Sequence, residues 1–444
     1  MVNSSTSQYE ALLGGGYLFR NVQGKTLEER YKPFNNWVDL LKLHGFWPFS
    51  RILTKRLGTE ITVKGTWVDS DRELLNFGSQ DYLGLSNDQR ILDHAIEIIR
   101  EYGINSGGSP VLGGRNTLTQ QLEHRLADIL EVEQVQLFPS GWCSAFAGLA
   151  GLASHRDYII MDMLMHNSSD VGAKFATEYV YKFKHNSLED LEKKLIFCRG
   201  KSETAGIFVA VETLYSMNSD SPDMLAMYEL CKKYDAILYI DATNDLALVD
   251  ENGRGLLNTI PVKGSNNIVI AGSFSKALGI TGGFLGGPRC IKNQIDIFAP
   301  CYTFATGLSN LSCALALKAL DIAFSQEGAE MRRELRAKSE FLVREFNRHG
   351  FVTNGIISPI IPVLIGDSRL SRLLQREAMS LGLLANSVEF PAVPRDKSIL
   401  RFQMMRKMTY EQLTNAADIL HQAIIEAQKI LLDLKIDSVD IILE

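Results

Sequence analysis

Asn267-Ile268-Val269-Ile270-Ala271 is an apolar run of strand length that breaks into Gly272-Ser273-Phe274-Ser275-Lys276-Ala277-Leu278-Gly279, followed by Thr281-Gly282-Gly283-Phe284-Leu285-Gly286-Gly287. A short continuous apolar run bounded by turn residues fits a strand buried on both faces. Similar runs lie at Gln134–Phe138, Asp157–Met161, Gly206–Glu212 and Ala236–Asp241, with helix-like stretches Leu118–Leu130, Leu188–Leu195 and Asp223–Tyr234 among them. This alternation predicts an α/β fold whose mostly parallel sheet is covered on both faces. In such sheets ligands sit outside the strand ends, so the loops carry the chemistry.

Residues 1–60 read as an N-terminal arm, 61–307 as the large domain and 308–444 as a smaller C-terminal α+β domain. The last has a long helical pattern over Ser309–Arg348, strands at Ile360–Ile365 and Leu400–Met404, and an amphipathic helix over Tyr410–Leu432. The chain has 444 residues, 45% of them hydrophobic, and a net charge of −6, which argues against nucleic acid as a partner. Six cysteines without a CxxC pair predict a reduced, cytoplasmic protein with no metal cluster. No run has the length of a membrane span, and the N-terminus has no secretory pattern, so at most a peripheral membrane contact is expected. The aromatic run Phe46-Trp47-Pro48-Phe49 reads as an arm packed on a partner subunit.

Four loops carry candidate chemistry. Lys276 stands at a strand end among small hydroxyl residues and glycines, where a desolvated amine can form a Schiff base. Ser273 and Ser275 beside it suit a phosphate, although no GxxxxGK[ST] loop occurs. Asp241 ends its strand, where a carboxylate is most often a helix cap. Ser140-Gly141-Trp142 offers backbone amides at a helix start, and His166 follows a strand directly. Together these are what pyridoxal phosphate requires.

With those residues in view, the chain resembles the α-oxoamine synthase family of fold-type I pyridoxal-phosphate enzymes, its serine palmitoyltransferase branch above all. The likeness spans roughly residues 35–430. It rests on Asn76–Leu85, Leu122-Glu123, Ser140-Gly141-Trp142, His166-Asn167-Ser168, Lys184-His185-Asn186, Glu212–Met217, Asp241, Gly253-Arg254-Gly255 and Ser273–Gly279. To these are added Ser358–Pro362, Pro391-Ala392-Val393-Pro394 and Leu400-Arg401-Phe402. The resemblance implies an aspartate aminotransferase-like large domain. It assigns the Schiff base to Lys276, the pyridine-nitrogen partner to Asp241, the ring stack to His166, and the phosphate to Ser140, Gly141, Trp142 and Ser273. Ser216 matches the serine near the ring oxygen. Thr306 matches a threonine that reaches the phosphate of a neighbouring subunit, implying a homodimer with shared active sites. Arg401 matches the arginine that holds the amino-acid carboxylate.

The departures fall on substrate-facing positions. Asn244 replaces the family histidine near the ring oxygen, and Gln80 is one methylene longer than the family asparagine that grips the carboxylate. Pro110 replaces an arginine, Thr119 a histidine, and Lys407-Met408-Thr409 an Ala-His-Thr. One reading is an active synthase that condenses serine, or glycine or alanine, with an acyl-CoA or acyl-carrier-protein thioester to give an α-amino ketone. The other is a regulatory or scaffold subunit; the presence of Lys276 favours the enzyme. The Pro-rich C-terminal segments argue against an aminotransferase or lyase.

Overall fold

A computed structural model describes residues 11–64 and 71–434, so the first ten residues of the expected arm lie outside the described residues. A seven-stranded sheet is built from β1 (Gln134–Phe138), β2 (Tyr158–Asp162), β3 (Val180–Phe183), β4 (Ile207–Glu212), β5 (Ile237–Asp241), β6 (Ile268–Ser273) and β7 (Gly283–Gly287). Its order is β1-β7-β6-β5-β4-β2-β3. From β3 to β6 the strands are parallel, and β7 runs antiparallel to β1 and β6. The mostly parallel sheet expected from the alternation is present, with β4 buried at every position.

Two strands depart from the expected pattern. Gly283–Gly287, absent from the expected strands, is the strand β7, and every residue of it is buried. Glycine lowers strand propensity, but here the missing side chains admit a close neighbour. A Cβ on Gly283 would lie 2.6 Å from Ser140 O and 2.7 Å from Gly141 Cα. The edge strand β3 was also absent from the expected set; its half-buried Tyr181 and exposed Lys182 disguise it. The core of this sheet packs Phe138, Met161, Phe208, Tyr239, Val269 and Leu285.

By contacts the chain divides into two units: one holds Gln80–Ser216 with Asp220–Leu335, the other the residues up to Ser79, Met217–Ser219 and Arg336 onward. The textural boundaries at residues 60 and 307 therefore differ from the contact boundaries. Strands Glu60–Lys64 and Arg72–Asn76 join a sheet with Leu383–Leu384, which pairs in parallel with Leu75 and Asn76. Helix Asn310–Ala323 packs instead on helices Gln89–Tyr102 and Thr117–Leu130. The long helical pattern is broken in two, Asn310–Ala323 and Gln326–Arg348, because Ser325 Oγ accepts from Gly328 N at 3.2 Å and starts a new helix. In the other unit Ile360–Gly366, Ser398–Gln403 and Asn386–Val388 form an antiparallel sheet, and helices Ser368–Ser380 and Tyr410–Asp433 pack on each other. Among the described residues no helix is long and apolar enough to cross a membrane, and no cluster of metal-ligating side chains occurs.

Candidate active site

The strand ends gather most of the candidate residues into the unit Gln80–Ser216 with Asp220–Leu335. Parallel register sets Glu212 opposite Asp241 and Asp241 opposite Ala271, while Ser273 pairs with Gly283. The C-terminal ends of β4, β5 and β6 thus lie side by side, which is where a parallel sheet presents ligands.

Asp241 is buried at the end of β5, and its Oδ1 accepts from Thr243 N at 3.0 Å. On β4 beside it, Glu212 Oε1 accepts from His166 N at 2.8 Å. Burial, and then the charge of Asp241, push the Glu212 carboxyl well above the usual carboxylate range. Glu212 is thereby driven toward its neutral form. Sequence reasoning quoted Glu212 in a motif without giving it a role; only the strand register reveals its neighbour.

Lys276 Nζ donates to Gln80 Oε1, so the longer amide at that position reaches the amine. Ser140 caps the ten-residue helix Gly141–Ala150, its Oγ accepting from Cys143 N at 3.3 Å. A Cβ on Gly141 would stand 2.4 Å from Ser273 Cβ, so only glycine lets the helix start approach β6 this closely. Ser273 Oγ lies 2.8 Å from Ser275 Oγ and 3.2 Å from Gly282 O. Free amides at a helix N-terminus facing two hydroxyls make an anion cradle. Trp142 stacks on Phe146 at 5.6 Å with the rings 8° apart.

His166 caps helix Asn167–Ala176, its Nδ1 2.7 Å from Ser168 Oγ, and its ring is exposed. Asn244 Nδ2 donates to Leu214 O at 3.2 Å, while Oδ1 is buried without a partner. A buried acceptor in that state is open to a donor from a bound group or an ordered water. The Ser216 backbone hydrogen-bonds the Glu212 carboxyl. Thr306 is exposed on a loop tied down by Gly307 N donating to Gly108 O at 2.9 Å. Arg401 belongs to the other unit, on strand Ser398–Gln403, opposite Pro362 and Asn386, with Nη1 3.5 Å from Met217 Sδ.

A second constellation was quoted in motifs without a role. His185 bridges Asp162 Oδ1 and Asp220 Oδ2, both at 2.9 Å, edge-on to Tyr215. Burial alone would lower its pKa, but hydrogen bonds to the two aspartates outweigh that and raise it to about 9.

These residues fit pyridoxal phosphate. One unit holds an amine on a strand-end loop, a buried carboxylate for a protonated ring nitrogen, an anion cradle that a Cβ would fill, and in Asn244 an acceptor awaiting a donor.

Comparison with known proteins agrees. Residues 72–420 match the model of the aminotransferase class I and II family. The chain is 30% identical over 392 residues to the serine palmitoyltransferase of Sphingobacterium spiritivorum, covering 88% of this chain and 95% of that one. It is 27% identical over 388 residues to the 8-amino-7-oxononanoate synthase of Thermosipho melanesiensis, covering 87% and 96%. The solved serine palmitoyltransferase of Sphingomonas wittichii superposes with a TM-score of 0.83 at 25% identity, covering 91% of this chain and 99% of that one.

Proposed function

Because this chain belongs to the aminotransferase class I and II family, and within it to the α-oxoamine synthases, we propose that it is a pyridoxal-phosphate-dependent acyltransferase joining an α-amino acid to an acyl thioester. The observation that carries the reading is the meeting of Lys276, Gln80, Asp241 and the Gly141–Ser273 cradle in one unit. Serine, with glycine or alanine as alternatives, is the amino acid, and the acyl group comes from a CoA or carrier-protein thioester.

When bound, the cofactor supplies an electron sink conjugated to the amino-acid Cα. The rest falls to side chains. Ser140, Gly141 and Ser273 would hold the phosphate, and Asp241 would keep a proton on the ring nitrogen. Asn244 Oδ1 would accept from the ring hydroxyl. By the family likeness Arg401 would take the substrate carboxylate in its two-pronged guanidinium. Lys276 Nζ would remove the Cα proton. The Cα–carbonyl bond forms as the C–S bond of the thioester breaks and the thiol leaves. Loss of the carboxylate as carbon dioxide returns the electron pair to Cα, where Lys276 delivers the proton. Lys276 keeps covalent chemistry available, which sets the regulatory or scaffold reading aside.

The test is a visible absorption titration of the cofactor-loaded protein with serine, glycine and alanine in turn, followed by thiol release on adding palmitoyl-CoA or acetyl-CoA. One amino acid should shift the band and support thiol release. A band indifferent to every amino acid, or no thiol release with any thioester, would overturn the proposal.

A further inference from the structure

Two of the six cysteines meet beside the anion cradle. Cys143 is the third residue of helix Gly141–Ala150, and Cys301 lies in the short helix Pro300–Thr303. Both belong to the unit that carries Lys276, and both are half-buried against the core of its sheet. Their side chains hydrogen-bond each other, and Cys301 Sγ lies 3.4 Å from Cys143 O. They stand 158 residues apart, so no local spacing announces the pair.

The surroundings suit the two thiols to different tasks. Ser140 Oγ, which caps the helix, also donates to Cys143 Sγ at 3.3 Å. The hydrogen bond from Cys301 draws the Cys143 thiol well below its ordinary value; burial opposes this, and the bond from Ser140 adds to it. The positive end of the helix favours the same thiolate. Cys301, as the donor, is held above its ordinary value. Elsewhere Cys198, Cys231 and Cys313 are buried, and burial pushes Cys198 up to about 11 and Cys313 up to about 12. A thiolate at a helix end with a second thiol in contact is the arrangement of an oxidant-sensitive pair.

We propose that Cys143 and Cys301 form a reversible disulfide, with Cys143 the thiolate that meets a peroxide and Cys301 the thiol that resolves it. Cys143 sulfur attacks one oxygen of hydrogen peroxide, the O–O bond breaks, and the departing hydroxide takes up a proton as water. Cys301 sulfur then attacks the resulting sulfenic acid; the S–S bond forms, the S–O bond breaks, and the oxygen leaves as a second water with the Cys301 proton. The two thiols lose two electrons and two protons, and the peroxide gains them. A dithiol reverses the step, as a sensing rather than structural disulfide requires.

The bond would tie the helix that opens the cradle to the helix ahead of the Thr306 loop. A phosphate in the cradle sets a like charge near the Cys143 sulfur, so bound pyridoxal phosphate should slow the first step. That corollary rests on the cofactor reading; the disulfide does not.

The test treats the cofactor-loaded and cofactor-free proteins with hydrogen peroxide and follows them by peptide mass spectrometry without reduction. A Cys143–Cys301 cross-linked peptide should appear and vanish on adding dithiothreitol, while Cys198, Cys231 and Cys313 stay free. The cofactor-free protein should form it roughly twofold to fivefold faster, the worth of one charge at a helix end. Cys301→Ser should leave Cys143 as a sulfenic acid, captured by a cyclic dione, and Cys143→Ser should leave Cys301 unmodified. No cross-link in the folded parent, a cross-link only between copies or to another cysteine, or capture of Cys301 in Cys143→Ser would overturn the inference. A cross-link that forms equally fast with and without pyridoxal phosphate would instead count against the phosphate seat at Ser140 and Gly141 alone.

Discussion

Lys276 and His185 are both held by neighbours that give their chemistry direction. Lys276 Nζ donates to Gln80 Oε1. Lys276→Ala should reduce thiol release to background while far-UV circular dichroism stays unchanged; substantial residual turnover would contradict a covalent role. His185 carries a folded pKa of about 9, above its ordinary 6.5. A raised pKa means the folded state binds the proton more tightly, so this contribution to stability is complete below about pH 6.5 and lost as pH rises through about 9. Thermal midpoints across that window should fall more steeply for the parent than for His185→Gln. The strand-end placement of Lys276, Asp241, Ser140 and His166 was legible from residue type and position along the chain. Glu212 and the His185 bridge were not assigned roles, because a role that comes from a neighbour distant in sequence leaves no local signal.

At the scale of elements, periodicity spoke clearly. Helices Thr117–Leu130 and Tyr410–Asp433 begin within a residue of the apolar patterns Leu118–Leu130 and Tyr410–Leu432, each behind a capping side chain, Asn116 and Thr409. The break inside Ser309–Arg348 depends on a single hydroxyl. Ser325→Ala should cost about 1 kcal/mol in chemical denaturation, with no change in cofactor binding. Strand β7 was illegible for the opposite reason: its glycines lower strand propensity, and the close approach of Ser140 and Gly141 that requires Gly283 leaves no local signal. Gly283→Ala forces a Cβ against backbone that cannot yield. It should destabilise the fold by about 1–3 kcal/mol and weaken retention of the cofactor, read by dialysis and absorbance.

For the molecule as a whole, the exposed loop that carries Thr306 points to a second copy. Phe304 is 86% exposed beside it, and Leu112 is 87% exposed near the glycines to which the same loop is tied. Large apolar side chains so bare mark a surface meant to be covered. Phe304→Asp with Leu112→Asp should shift the protein toward monomer in light scattering and lower turnover with it; an unchanged dimer of full activity would contradict a shared site.

What the sequence by itself determined is the alternation that makes the α/β sheet, the strand-end placement of Lys276, Asp241 and Ser140-Gly141, and the family likeness. All of these are written in residues close together along the chain. Tertiary structure alone decided that Leu383–Leu384 pairs with Leu75 and Asn76, that β7 enters the sheet beside the Gly141 helix, and that the N-terminal aromatics enclose a chamber with Phe390. Those contacts join segments far apart in sequence. Their free energy comes from burial and close approach, which depend on where the chain returns and not on any local pattern.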